Sequence, residues 1–371
     1  MKRYPFTHRN TLIASLFMVG VLAACSPGSS DTPAASVAVN RSYTGSAAVG
    51  DLVQVSVNAT AQTISYTNKT NGQTETVSYT VNSDGTYTIS DPSGNLVTAY
   101  EIPNYAILIE ANDTGPGKNT PSLITAIPAG QISLATFTGT GYNYMQFRTS
   151  SGGMTIGSLN VTQSNNASIT EYWPYGSMVT PATPFNSGSI AMAGAVEDSS
   201  GTFLTVVGPD GGPAAIFGTA NGTFAIDTPQ GTIFGLQKAS TAAFQPSYAG
   251  TYTALAYTKP NASTGPGNIE IGTPAFAKLT ITVDASGNLT LANSAGTTLA
   301  TGALTPVSSV PYIYGSGELT DPCNGLFTLR ISAGGNTEDI FIAFQSSSIL
   351  FSTFEPTGSS TYNYSYGVGL K

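Results

Sequence analysis

The sequence predicts an all-β protein, built of two or three antiparallel β-sandwich or β-barrel modules in tandem. Apolar and polar residues alternate with period two in many short segments, and Gly, Asn and Asp turns separate these segments. After the N-terminal apolar stretch, no segment of ten residues has a helical pattern. A chain of 371 residues also exceeds the size of about 250–300 residues at which single cores stop growing. Several modules are therefore expected.

The clearest predicted hairpin lies near residue 285. Residues 278–284 alternate strictly, residues 285–288 have turn composition, and a second short alternating run follows at 289–291. The same pattern predicts further strands along the whole chain, at 52–57, 62–66, 75–81, 87–90, 105–111, 142–148, 159–163, 203–207, 215–217, 224–227, 233–236, 252–257, 327–331, 340–344, 349–354 and 362–368.

Weak self-similarity predicts how the modules divide. Residues 141–144 (GYNY) correspond to 250–253 (GTYT), and further matches follow in the same order. We interpret this as two related β-modules at 137–240 and 245–371, preceded by a third β-module at 41–136. The alternative is that strands rich in Gly, Thr and Tyr look alike through composition alone.

The N-terminus has the three regions of a secretory signal in order. Lys2, Arg3 and Arg9 make the start positive, and the apolar stretch 11–21 is too short to span a bilayer. Small residues and a cysteine follow at 22–25 (LAAC). This pattern predicts an exported protein.

The motif at 22–25 resembles the lipobox of bacterial lipoproteins. The resemblance implies a signal peptide at 1–24, removal of that peptide, and acylation of Cys25, which would anchor the mature chain in the membrane. Ser26 after the cysteine implies passage to the outer membrane. The segment 25–40 is small, polar and proline-containing, which predicts a flexible tether. The alternative is an ordinary signal with an incidental cysteine.

Cleavage at Cys25 changes the charge of the chain. His8, the only histidine, leaves with the signal, as do three of the twelve Lys and Arg residues. Nine basic residues then face twenty acids, a formal net charge of −11. The mature chain has only three arginines, at 41, 148 and 330, so we expect no nucleic-acid partner.

The residue inventory predicts a protein that is not an enzyme and holds no cofactor or metal. Without a mature histidine, the chain cannot form a Ser-His-Asp triad or a histidine-based metal site. Acylation of Cys25 leaves Cys323 alone, and no S-x-x-K, G-x-S-x-G or P-loop motif occurs. Paired carboxylates remain as an alternative, as in glycoside hydrolysis, with candidates at Glu171, Glu197, Asp198, Glu318, Asp321, Glu338 and Asp339.

One aromatic cluster is a candidate ligand-binding site. Glu171, Tyr172, Trp173 and Tyr175 surround the only tryptophan of the chain. Tyr and Trp on a loop can stack on sugar rings or anchor a protein partner. The alternative is that Trp173 closes the end of a β-module.

Together these features predict a lipid-anchored protein of the bacterial cell envelope, associated with the outer membrane. We expect a non-catalytic binding or structural module whose partner is a glycan, peptidoglycan or an envelope protein. Two alternatives stay open: an envelope glycoside hydrolase that uses carboxylates, and a β-barrel carrier of an apolar ligand.

Overall fold

The computed structural model describes residues 40–371 with internal gaps. These gaps are 48–49, 84, 93–95, 104–105, 114–119, 131–140, 148–153, 161–167, 171–188, 192–195, 198, 200, 208–212, 219–221, 229–230, 264–274, 308, 315–316, 334–335, 346 and 357–360. Residues Ala38–Lys371 form one compact unit. No helix among the described residues is long and apolar enough to cross a membrane.

The described part of the chain is almost entirely β-structure. Strands β1–β8 are Asn40–Ala47, Asp51–Asn58, Thr63–Asn68, Thr74–Val81, Thr86–Ser90, Leu96–Ile102, Ala106–Asp113 and Thr120–Pro128. Strands β9–β17 are Gly141–Phe147, Met154–Asn160, Ser168–Thr170, Ser189–Ala191, Val196–Glu197, Leu204–Val207, Pro213–Gly218, Thr223–Thr228 and Gly231–Gln237. A short 3-10 turn at Pro246–Tyr248 precedes β18–β28, which are Gly250–Ser263, Ala275–Val283, Asn288–Asn293, Thr298–Ala303, Thr305–Pro306, Ser309–Tyr314, Gly317–Pro322, Leu326–Ala333, Asn336–Gln345, Ser348–Pro356 and Thr361–Leu370.

Strands β1–β8 form a closed antiparallel barrel in sequence order. It closes where β1 pairs with β8, with Tyr43 opposite Pro128 and Ala47 opposite Ile124. Alternate residues point inward because side chains alternate along a strand. The inward residues are mostly Val, Ile and Tyr, and they form one buried apolar cluster.

Two larger antiparallel sheets follow the barrel. The first has seven strands in the order β10-β9-β17-β16-β15-β14-β13, and we call it the middle sheet. The second has nine strands in the order β21-β20-β19-β18-β28-β27-β26-β25-β22 and is a nearly closed barrel. The end strand β21 lies close to β25, the strand next to the other end, since a Cβ added at Gly302 in β21 would lie 2.5 Å from the Leu329 side chain in β25.

The last two sheets share an order of strands. In the middle sheet β9 lies between β10 and β17, and in the nine-stranded sheet β18 lies between β19 and β28. In each of these two sheets, the strand that comes first in the chain lies between the strand that comes second and the strand that comes last. Two modules that arose by duplication would share this order of strands. The module boundaries at 137–240 and 245–371 stay a prediction.

The middle sheet packs against both barrels. Its core cluster includes residues from the outer face of the first barrel, such as Leu52 and Leu123, and of the nine-stranded sheet, such as Leu350 and Val368. The Asn143 side chain also donates a hydrogen bond of 2.8 Å to the carbonyl of Asn324. The three sheets thus share buried surface.

The predicted fold class is confirmed, with a closed barrel and a nearly closed barrel among the modules. The hairpin near residue 285 is present, with Val283 opposite Leu289. Asp284 accepts bonds from the backbone amides of Ser286 and Asn288, and Gly287 takes the positive φ of 82° that the turn requires.

Candidate functional site

The outer surface of the first barrel carries an unusual concentration of hydroxyl groups. We define the hydroxyl face as the outward positions of β2–β5 that carry Ser or Thr, namely Ser56, Thr63, Ser65, Thr67, Thr74, Thr76, Ser78, Thr80, Thr88 and Ser90. Each is exposed or half-buried, while the residues between them are mostly buried inside the barrel. Strand alternation therefore separates the hydroxyl groups from the apolar core.

Strand register arranges these hydroxyl groups in rows. Ser56 lies opposite Ser65, and Ser65 lies opposite Thr76. A second row runs from Thr63 to Ser78 and on to Ser90. Neighbouring strands are about 4.8 Å apart, and alternate residues along one strand are about 6.7 Å apart. The result is a regular two-dimensional array.

Some hydroxyl groups within the array bond to each other. The Ser65 and Thr76 oxygens are 2.8 Å apart, and the Thr67 and Thr74 oxygens are 3.2 Å apart. A hydroxyl has one proton and two lone pairs, so each of these groups keeps capacity for a further partner. The face can therefore both donate and accept hydrogen bonds.

The hydroxyl face carries no charge at any of its positions. The one acid within β4, Glu75, is on the inner side of the strand, where its carboxylate accepts a 3.0 Å bond from the Tyr66 hydroxyl. The surface is therefore polar but neutral.

The nine-stranded sheet carries a single row of the same type, made of four threonines. Thr251 lies opposite Thr282, Thr282 opposite Thr290, and Thr290 opposite Thr301. The Thr251 and Thr282 hydroxyl oxygens are 3.3 Å apart. A row of uncharged hydroxyl groups thus occurs on two of the sheets.

A second polar cluster lies inside the first barrel, at the end where β1 begins. Arg41 donates to both carboxylate oxygens of Glu101, at 2.6 and 2.7 Å. Tyr43 donates to one of these oxygens at 2.5 Å, and Tyr87 donates to the other at 2.6 Å. The Glu101 side chain is fully buried, and that of Arg41 is 9% exposed.

The environment of this cluster keeps its donors protonated. The hydrogen bond to Glu101 raises the pKa of Arg41, while burial opposes that increase. Burial, and then the hydrogen bond to Glu101, raise the pKa of Tyr87 well above its ordinary value. Four hydrogen bonds already engage Glu101, so this carboxylate is suited to holding β1, β5 and β6 together and poorly suited to acid–base chemistry.

Side chains at the centres of both barrels are packed without access to solvent. In the first barrel Val57, Ile64, Ile107 and Ile109 are completely inaccessible to solvent, and in the nine-stranded sheet Phe327, Ile342 and Phe351 are as well. A cavity that could hold a ligand would expose the side chains lining it. Barrels of about eight strands are often filled in this way.

Most of the residues singled out from the sequence lie outside the described residues, and the others lie in three different strands. Glu171, Tyr172, Trp173 and Tyr175 lie outside the described residues, as do Cys25 and Asp198. Glu338 and Asp339 are adjacent in β26, where they lie opposite Ile331 and Arg330 of β25. Glu197, Glu318 and Asp321 lie in β13 and β24, and their predicted roles stay predictions.

Sequence reasoning did not single out the hydroxyl face or the Arg41–Glu101 pair. The face had a visible signal, because residues 74–80 read T-x-T-x-S-x-T and residues 63–67 read T-x-S-x-T. The ion pair had none, because sixty residues separate its partners. Only the closure of the barrel brings them together.

Comparisons with known proteins do not identify a family. No protein-family model matches the chain, and no curated protein matches it. One solved structure to which it is similar is a protein of unknown function from Nostoc punctiforme, of the DUF3598 family. That similarity covers 90% of this chain and 95% of the other, with 11% identity and a TM-score of 0.24. A similarity of this size transfers no function.

Proposed function

We propose that this protein is a lipid-anchored component of the bacterial cell envelope that binds a neutral glycan without catalysis, through the hydroxyl face of its first barrel. The observation that carries this proposal is the array of ten Ser and Thr residues on β2–β5, in register and without a charge among them. The lipobox at 22–25 supports the anchor.

The chemistry of the face favours a polyhydroxylated partner. Sugar hydroxyls both donate and accept hydrogen bonds, as Ser and Thr do. A charged glycan would gain no ion pair on this surface. Single hydroxyl contacts are weak, so useful binding requires a repeating polymer that engages several rows at once.

A protein partner fits the same face less well. Protein interfaces have a core of aromatic and other apolar residues, and their binding energy is concentrated in a few such anchors. The other outward positions of β2–β5 that are exposed or half-buried are Gln54 and Asn58, so no aromatic residue and no Leu, Ile or Met lies among them. We therefore favour the glycan over an envelope protein.

Two further observations support a non-catalytic role. Hydrogen bonds already saturate the buried carboxylate of Glu101, and side chains occupy the described barrel centres. A binding module needs only its surface, so these packed interiors are consistent with the proposal. The same packing is less favourable to a carrier of an apolar ligand.

Co-sedimentation with insoluble polysaccharides tests the proposal. The full chain in detergent is mixed with peptidoglycan sacculi and with neutral polysaccharide particles, and bound protein is measured. The test variant combines Thr74→Val, Thr76→Val and Thr88→Val, because valine keeps the shape and strand preference of threonine and removes only the hydroxyl. The matched control combines Thr60→Val, Thr241→Val and Thr297→Val, at exposed positions outside the face.

We expect the test variant to bind the neutral polysaccharide at least about tenfold more weakly than wild type, with the control unchanged. Equal binding by the test variant and wild type would exclude the hydroxyl face as the binding site. Failure of the wild-type protein to bind any polysaccharide would overturn the glycan proposal itself.

A further inference from the structure

A buried carboxylate lies between the first barrel and the middle sheet. Ser46, on the outer side of β1, donates a 2.5 Å hydrogen bond to Asp227 in β16. The Ser46 oxygen is also 2.5 Å from the hydroxyl of Thr232, which lies opposite Asp227 in β17. These bonds join residues that are 181 and 186 positions apart, and they connect two sheets directly.

Water is largely excluded from this contact. Ser46 is completely buried, Thr232 is 1% exposed and Asp227 is 7% exposed. Leu52, which lies opposite Ser46 in β2, belongs to the buried apolar cluster of the middle sheet, as does Leu123 of β8. An ionised carboxylate loses most of its hydration here.

The lost hydration of the carboxylate is not compensated by a positive charge. Among the described residues of β1, β2, β8, β16 and β17, none that faces Asp227 is basic. The nearby charged group is Asp51, at the start of β2, and its charge has the same sign as that of Asp227. Arg41 of β1 points to the opposite, inner side of its strand, where it is paired with Glu101. The interface thus holds an acid without a counter-ion.

These surroundings make the charge of Asp227 sensitive to pH near neutrality. Burial raises its pKa to about 7, and the neighbouring Asp51 adds to the increase, whereas the bond from Ser46 opposes it. A protonated Asp227 is neutral and keeps its place in the bonded cluster.

The same interface contains two hydroxyl groups that lack a protein partner. Thr44 and Thr125 are each 1% exposed, and their Oγ1 atoms have no hydrogen bond in the described structure. Thr125 lies directly opposite Ser46 in the pairing of β1 with β8. Water that entered the interface would satisfy both hydroxyl groups, so this contact is weaker than a fully bonded one.

We propose that the Ser46–Asp227 contact is a pH-sensitive latch between the first barrel and the middle sheet. At acidic pH the neutral acid holds the two surfaces together. At alkaline pH the ionised, uncompensated carboxylate draws water into the interface and loosens it. The latch is independent of the proposed glycan binding, because it lies on β1 and not on the hydroxyl face.

A thiol at position 125 reports opening of this interface. Thr125→Cys is introduced into the full chain, and labelling of the peptide containing residue 125 is followed by mass spectrometry at pH 5.5 and 8.0. Each rate is divided by that of a free cysteine peptide at the same pH, because the thiolate fraction also changes with pH. The same measurement is made with Asp227→Asn added, and with Glu75→Gln added as a control acid inside the barrel.

We expect the normalised labelling rate to rise at least about tenfold from pH 5.5 to 8.0 with Asp227 present, and with Glu75→Gln, but to stay constant with Asp227→Asn. Equal rates at both pH values, or the same increase in the Asp227→Asn protein, would overturn the latch. If Thr125→Cys does not fold, small-angle scattering replaces labelling. The radius of gyration should then increase with pH for the wild-type protein and not for the Asp227→Asn protein. A constant value for the wild-type protein overturns the proposal.

Discussion

Arg41 and Glu101 form a two-point ion pair across the inside of the first barrel, although sixty residues separate them in the chain. The pair lies where β1 begins, and Tyr43 and Tyr87 complete the hydrogen bonding of the carboxylate. A buried pair of this kind fixes the relative positions of its strands. Its loss leaves one charge buried without a partner.

Glu101→Gln should destabilise the protein by about 3–5 kcal/mol, because Arg41 then stays charged in the barrel without its anion. Glu75→Gln is the matched control, since Glu75 accepts a hydrogen bond from the Tyr66 hydroxyl and is only half-buried. We expect the control to cost less than about 1 kcal/mol. Urea unfolding followed by circular dichroism measures both changes, and equal midpoints for the two variants would contradict this role of the pair.

The sequence predicted the fold class and most strands because alternation is a local property. Hydrophobic runs such as 349–354 and 340–344 need no knowledge of their neighbours. Strand β1 was missed because its residues, NRSYTGSA, are small and polar. Residues 43–47 are buried, some inside the barrel and others against the middle sheet, and neither environment exists until the chain folds.

The candidate sites were less predictable for the same reason. The hydroxyl face combines residues from several strands, and the latch joins β1 to β16 and β17. Their composition is visible in the sequence, but register decides which hydroxyl groups become neighbours. Asp227 is the last residue of the predicted strand 224–227, and its burial depends on contact with the first barrel.

Gly45→Ala should destabilise the first barrel by about 1–3 kcal/mol through overpacking. Gly45 lies opposite Ala126 where β1 closes against β8, and an added Cβ would lie 2.5 Å from the Ala126 Cβ. Gly130→Ala is the control, because nothing lies within 4 Å of the added atom there. Thermal unfolding should show a lower midpoint for Gly45→Ala alone; a similar decrease in both variants would mean that close packing is not the cause.

Asp227→Asn should remove a pH dependence of stability. The pKa of Asp227 is about 7 in the folded protein and near 3.8 in an ordinary environment. Between these values the folded state holds a proton that the unfolded state has released, so wild-type stability falls as pH rises from about 4 to 7. Asparagine keeps an oxygen that can accept the bond from Ser46 and carries no charge.

At pH 8 the Asp227→Asn protein should therefore be more stable than wild type, by about 4 kcal/mol at most, because each pH unit between the two pKa values is worth about 1.4 kcal/mol. At pH 4 the two proteins should unfold alike. Urea unfolding at several pH values measures the difference. A difference that is the same at pH 4 and pH 8 would show that Asp227 does not titrate in this range.

Cys25→Ser should separate the protein from the membrane, because serine has no thiol to acylate. The predicted anchor is a thioether-linked lipid, and burial of acyl chains contributes about 0.8 kcal/mol per methylene group to membrane binding. Without it, the body carries an excess of eleven negative charges, which anionic lipids repel. Fractionation of cells that express each form measures the change, with Cys323→Ser as the control, since Cys323 is buried within the folded body. If Cys25→Ser protein still sediments with membranes and has lost its signal peptide, the chain carries an ordinary secretory signal and some other part of it binds the membrane.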